Sequence, residues 1–299
     1  MFYNNLKRLL FLFLTILLTN TIVATQIRVV TINEDFASIT KEIGGDLVHV
    51  SSLVKGSRNI HNIIPKPSMV MKVKKADLLI RLGMGQDSYV DSLIQVAKNK
   101  IIFPNQIGYI DASKNIKKLD VPTGKLDGRH GDVHKYGNPH YWLNPRNGIV
   151  IARQIKNHLI KIDPQNADIY ERNTFLFAEK LSIKINEWEE KARLLKNSSF
   201  ITYHKTWDYL FDAFNLDHIG ELEPLPGIPP SVKHLTQLKK IVLTNNKDII
   251  ILNASYFPTH DGKTFAAAVN GKFVKLSANV GEQNINTYID LFDTIFNSL

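Results

Sequence analysis

Apolar and polar positions along this chain alternate between short hydrophobic runs and amphipathic stretches, and the pattern holds almost from end to end. Residues 26–32 read as a strand, 33–43 as a helix closed by Gly44 and Gly45, and 46–53 as a second strand. Residues 77–82 form a third apolar run, 87–99 a helix and 100–103 a short strand. From Arg146 the periodicity turns helical. The segment 165–198 holds neither glycine nor proline, and Leu176, Phe177, Leu181, Ile185 and Trp188 recur at helical spacing. A helix of about 30 residues spans about 45 Å. The strand and helix alternation then resumes: a strand at 199–203, a helix at 205–214, a strand at 217–220, and a proline-rich turn region at 224–230. Ser231 is placed to cap a helix reaching Asn246, followed by strands at 248–252 and 272–276 and a closing helix at 284–296.

Strands interleaved with helices predict an α/β fold of two lobes, each a mainly parallel sheet flanked by helices, joined by one long rigid helix. The divisions expected are a signal peptide at 1–24 and an N-terminal lobe at 25–145 with a polar, histidine-containing loop at 122–137. Linking helices follow at 146–198, then a C-terminal lobe at 199–299. No sequence repeat relates the two halves.

The first 24 residues carry Lys7 and Arg8, then the apolar run 9–14, then Ile22-Val23-Ala24, the order of a secretory signal with a core too short to span a bilayer. The mature protein is therefore expected outside the cytoplasm. The absence of cysteine excludes disulfides, thiolate metal sites and a lipid-bearing cysteine, which points to a free periplasmic protein not anchored to the membrane after processing. The net charge of +9 falls to +7 without the signal. Its lysines are scattered without a dense basic run, so nucleic acid is not an expected partner.

Three of the ten histidines stand out by position. His140 sits in Gly137-Asn138-Pro139-His140-Tyr141-Trp142-Leu143-Asn144-Pro145, where two prolines keep Asn138 and Asn144 out of helix and stiffen the loop. His61 follows the second strand. His204 directly follows the strand at 199–203. Ligands of open α/β sheets bind at the carboxyl ends of strands, so His61 and His204 come from equivalent edges of the two lobes, with His140 at the seam. His130 and His134, in the polar loop upstream, either help capture a metal or are solvated loop residues.

These residues carry a resemblance. The chain is similar, over almost all its mature length, to the metal-binding receptors of bacterial ABC importers that collect zinc or manganese in the periplasm. The motifs are His61 with Pro65-Lys66-Pro67-Ser68 and Lys75-Ala76-Asp77-Leu78-Leu79, the segment 138–145, and Tyr203-His204 followed by Tyr209, Glu223-Pro224 and Ser231. The resemblance implies that His61, His140 and His204 are imidazole ligands, and that the partners are the ion and an inner-membrane permease. A monomer that is not an enzyme is expected. The chain also departs from the family pattern: Asn59 and Asn144 stand where aspartates are frequent, and Ser277-Ala278-Asn279 stands where many members place a fourth, carboxylate ligand. An asparagine carbonyl can still accept the outer N–H of a ligand histidine. The fourth position is left to water, to Glu223 or to a histidine of the upstream loop, with His260 and Asp261 as weaker candidates.

Neutral imidazoles favour zinc, whereas manganese prefers more carboxylate oxygen, so Zn2+ is the expected cargo and Mn2+ the lesser alternative. Three histidines with an open position also describe a zinc-dependent hydrolase, but no His-Glu-x-x-His helix appears and Glu223 is the sole evident base. An adhesin or scaffold with a structural metal is a third reading.

Overall fold

The structure is a computed structural model that describes residues 26–56, 58–124, 134–282 and 284–299. The signal-peptide expectation and His130 therefore lie outside the described residues. Among the described residues no helix is long and apolar enough to cross a membrane.

The first lobe runs β1 (Ile27–Thr31), α1 (Glu34–Gly44), β2 (Val48–Ser52), α2 (Pro67–Lys74), β3 (Leu78–Arg81), α3 (Tyr89–Ala97) and β4 (Tyr109–Asp111). Asn33 caps α1, its side chain accepting from the Phe36 amide at 3.1 Å, and Pro67 opens α2 where a missing N–H costs nothing. Two long helices follow, α4 (Pro145–Ile162) and α5 (Ala167–Leu194). The second lobe runs β5 (Ser198–Thr202), α6 (Asp208–Phe214), β6 (Asp217–Glu221), α7 (Val232–Leu243), β7 (Asp248–Ala254), α8 (His260–Ala268), β8 (Lys272–Leu276) and α9 (Tyr288–Ser298). The sheets have the orders β2-β1-β3-β4 and β6-β5-β7-β8, with every pairing parallel. The same winding thus occurs in both halves without a sequence repeat.

The 28-residue α5, about 42 Å long at 1.5 Å per residue, fastens the lobes together. Near its start Asn173 donates to the Ile43 carbonyl at the end of α1, at 3.0 Å. Near its end Trp188 is fully buried against Phe292 and Phe296 of α9, ring centroids 5.0 and 6.3 Å away, and donates its indole N–H to Asp293. Helix α4 lies close to α9 because Gly148 faces the Tyr288 ring: a β-carbon there would fall 2.4 Å from Tyr288 Cε1. One continuous apolar core passes through both sheets and these helices, and a smaller one lies on the outer face of the second sheet.

Two expectations need correction. Residues 100–102 form a 3-10 turn, and the edge strand is β4, seven residues further on. The apolar run Ile101-Ile102-Phe103 lies beside the sheet rather than in it. Helices α2 and α8 were not anticipated: the first begins within a proline-rich motif and the second contains Gly262. The helical region at 146–198 is two helices that meet at Asp163-Pro164, as expected of a proline that opens a new helix, and the second of them is the long one.

Candidate metal centre

The loop carrying His140 is held from both sides. Tyr141, Trp142 and Leu143 are completely buried in one 3-10 turn, after which Pro145 opens α4 with Asn144 as its cap, accepting from the Arg146 amide at 2.9 Å. The Tyr141 hydroxyl donates to the Leu82 carbonyl of the first lobe at 2.7 Å. The Trp142 indole donates to the Ala278 carbonyl of the second at 2.8 Å, and the Tyr288 hydroxyl donates to the Trp142 carbonyl. The imidazole direction is fixed as well. Asn138 Oδ1 accepts from the His140 backbone N–H at 3.0 Å and from His140 Nδ1 at 2.8 Å, which leaves Nε2 with its lone pair facing the cleft.

His61 enters from the loop after β2, where Asn59 Oδ1 accepts its backbone N–H at 2.9 Å in a side-chain turn. His204 follows β5, and Glu223, after β6, accepts from its Nδ1 at 2.8 Å while also accepting the Gly227 amide at 3.1 Å. His140 is 1% exposed, His204 5% and Glu223 7%.

The three histidines converge. Each offers a ring nitrogen lying within 4.8 Å of the others, and the Nε2 atoms of His61 and His140 are 3.1 Å apart. That separation suits two donors on one ion, since metal–nitrogen bonds of about 2.0–2.1 Å in a tetrahedron put neighbouring nitrogens roughly 3.4 Å apart. Burial holds the His140 imidazole well below its usual 6.5, and the charges of His61, His204 and His134 push the same way, so it stays neutral and able to donate to a metal. The His134 ring centroid stands 5.0 Å from that of His61. Trp142 and Phe257 wall the site at 5.4 Å from His140 and 5.2 Å from His204.

Glu223 does not join the group of donors within 4.8 Å; its oxygen lies on the outer nitrogen of His204. Neither His260 nor Asp261, at the start of α8, joins it. At Ser277-Ala278-Asn279 the Ser277 hydroxyl donates to the Asn279 carbonyl at 2.7 Å and accepts its amide at 3.2 Å, a local turn without an acid. The asparagine on the His140 ring is Asn138 rather than Asn144. Its place two residues before the histidine, ahead of a proline that keeps it extended, was the available signal.

The sequence profile of the family described as "Zinc-uptake complex component A periplasmic" matches residues 29–299. The manganese ABC transporter substrate-binding lipoprotein PsaA of Streptococcus pneumoniae is 29% identical, over 71% of this chain and 68% of that protein. The iron-binding protein YfeA of Yersinia pestis is 25% identical, over 90% and 84%. A crystal structure of ZnuA superposes with a TM-score of 0.75 at 24% identity, covering 92% of this chain and 99% of that one, which supports the fold. A match over nearly the whole chain, joined to this fold and this cleft, places the chain in that family of periplasmic metal-binding proteins, the substrate-binding components of metal ABC transporters.

Proposed function

We propose that this protein captures Zn2+ between its lobes through His61, His140 and His204 and delivers it to an inner-membrane permease. The observation that carries the reading is the convergence of three imidazole nitrogens within 4.8 Å, with a carboxylate on the outer nitrogen of His204 and an amide on that of His140. Glu223 acts as an orienting acid: it raises the basicity of His204 and fixes its tautomer. The fourth position falls to water or to His134, whose ring centroid stands 5.0 Å from that of His61 but which, like Glu223, is outside the group of donors within 4.8 Å. A donor set of nitrogen without carboxylate selects zinc over manganese, although relatives are named for manganese and iron. Without a cysteine to carry a lipid, the mature protein works free in the periplasm, unlike relatives named as lipoproteins.

The ion is enclosed by small shifts of the lobes, because α5 and the shared core leave no flexible strand hinge between them among the described residues. The test is metal analysis of the protein purified from its own periplasm, followed by titration of the metal-free form with zinc and manganese in competition. Zinc should be present and should displace manganese. A manganese-loaded protein that prefers manganese in the titration overturns the assignment.

A further inference from the structure

Behind His140 lies a partly buried polar cluster in which Asn138 links the ring to groups of the other lobe. The Asn138 amide, 5% exposed, spends its oxygen on His140 and its nitrogen on the other lobe. Nδ2 donates to the Lys205 carbonyl at 2.7 Å, and lies 3.2 Å from Asp208 Oδ2 and 3.4 Å from Asp120 Oδ2. Lys205 is the residue after His204, so one amide ties the ring of one proposed ligand to the backbone beside another. Asp120 comes from the connection after β4, and Asp208 from the first turn of α6.

The acids are close enough to share a proton. Burial, then the hydrogen bond and charge of Asp120, push Asp208 up to about 9, so it is protonated at neutral pH and bonded to Asp120. Lys205 Nζ sits 3.6 Å from Asp120 and 3.7 Å from Glu221, and His218 Nδ1 is 3.8 Å from Asp208 Oδ1. Asp208, His218 and Glu221 offer donor atoms mutually within 4.8 Å, the spacing of a metal site, but the Lys205 ammonium already supplies positive charge there.

We infer that Asn138 is a positioning residue that sets the spacing of His140 and His204 across the lobe seam, and that this position requires a neutral amide. The inference rests on the proposed ligand set. An amide accepts from His140 and donates to Lys205 at once without titrating, which an ionised carboxylate cannot do. An ionised aspartate could still accept from His140, but it would turn its second carboxylate oxygen towards the Lys205 carbonyl and add a third acid to Asp120 and Asp208. The two buried rings are therefore backed unequally: His204 by a carboxylate, His140 by an amide, so His140 is the less basic donor.

The test uses the full mature chain with Asn138→Ala, Asn138→Asp and the double variant Asn138→Asp/Asp208→Asn, which swaps amide and acid. Two readouts are taken: zinc affinity by competition with a chelating dye, and the His140 tautomer from its ring 15N shifts in the metal-free protein. Asn138→Ala should weaken zinc binding about tenfold to a hundredfold, the usual effect of removing an outer partner of a ligand histidine. It should also convert His140 from one Nδ1–H tautomer to a mixture. Asn138→Asp should also weaken binding while keeping the Nδ1–H tautomer, and the double variant should recover only the part due to the third acid, because its carboxylate still faces the Lys205 carbonyl. Unchanged affinity and tautomer in Asn138→Ala overturn the inference, as does an Asn138→Asp variant that binds zinc like the wild type. A wild-type protein that binds no zinc refutes the proposed cargo instead, and the tautomer readout still decides the role of Asn138.

Discussion

Glu223 is where the geometry makes its sharpest quantitative demand. Its Oε2 accepts from His204 Nδ1 at 2.8 Å, with both side chains almost wholly buried, so the bond is charge-assisted and shielded from water. Glu223→Gln keeps an acceptor of similar shape and removes the charge. Bonds to charged groups contribute about 1.5–3 kcal/mol and neutral ones about 0.5–1.5, so the substitution should cost zinc binding about 1–1.5 kcal/mol, roughly tenfold in Kd. Glu223→Ala also strands the His204 ring N–H and the Gly227 amide, and should cost roughly a hundredfold, near the upper end for an outer partner of a metal ligand. His204→Ala, which removes a coordinate bond outright, should exceed both. The assay is competition with a chelator of known affinity at pH 7.5, with far-UV circular dichroism to confirm folding. If Glu223→Gln binds as poorly as His204→Ala, the acid is itself a ligand and the orienting role is wrong. If it binds as well as the wild type, the charge of Glu223 does not act on the ion through His204 and the charge-assisted bond contributes nothing to binding.

Other substitutions probe the rest of the molecule. His140→Ala should lower zinc affinity at least tenfold, about 1.4 kcal/mol, with helical content unchanged; an unaltered affinity would remove His140 from the site. Zinc binding should weaken as pH falls from 7.5 to 5, since any imidazole protonated in the metal-free protein must lose its proton to coordinate, and affinity that stays flat over this range argues for carboxylate ligands. Asp35 is completely buried, its Oδ1 accepting the Val280 amide at 3.0 Å, and burial, the largest cause, pushes it from 3.8 up to about 8. The folded protein thus holds a proton that the unfolded chain releases, so this acid lowers stability as pH rises from about 4 to about 8. Asp35→Asn should therefore stabilise the protein increasingly over that range, by up to about 1.4 kcal/mol per pH unit in urea denaturation, and a gain that shrinks with pH refutes the reading. Trp188→Ala should cost about 3–5 kcal/mol by opening a cavity between α5 and α9, and a loss below about 1 kcal/mol would show that this contact does not bind the lobes together.

Much of this was legible in the residues. The carboxyl ends of β2 and β5 announced where His61 and His204 had to lie, because an apolar strand followed by a polar residue marks the rim of a parallel sheet. The paired prolines fixed His140 without reference to any partner. What stayed hidden was what depends on contacts between distant segments. Asn138 reads as an ordinary residue before proline until Lys205 and Asp208 are brought beside it. Glu223 could be read as a ligand because spacing reveals nearness and not which nitrogen of a histidine it faces. Strand β4 escaped notice because three residues at a sheet edge, two of them half exposed, leave no periodic trace.

The turn that bears His140 is stitched to Leu82 on one flank and to Ala278 and Tyr288 on the other. It belongs to neither half alone, and any machine that pries them apart must first tear one seam. If the ion is held as proposed, whichever gives way would decide whether it departs in the company of His61 or of His204. Unloading would then be an ordered undressing, one imidazole at a time, with its sequence written in three hydrogen bonds of the turn that bears His140.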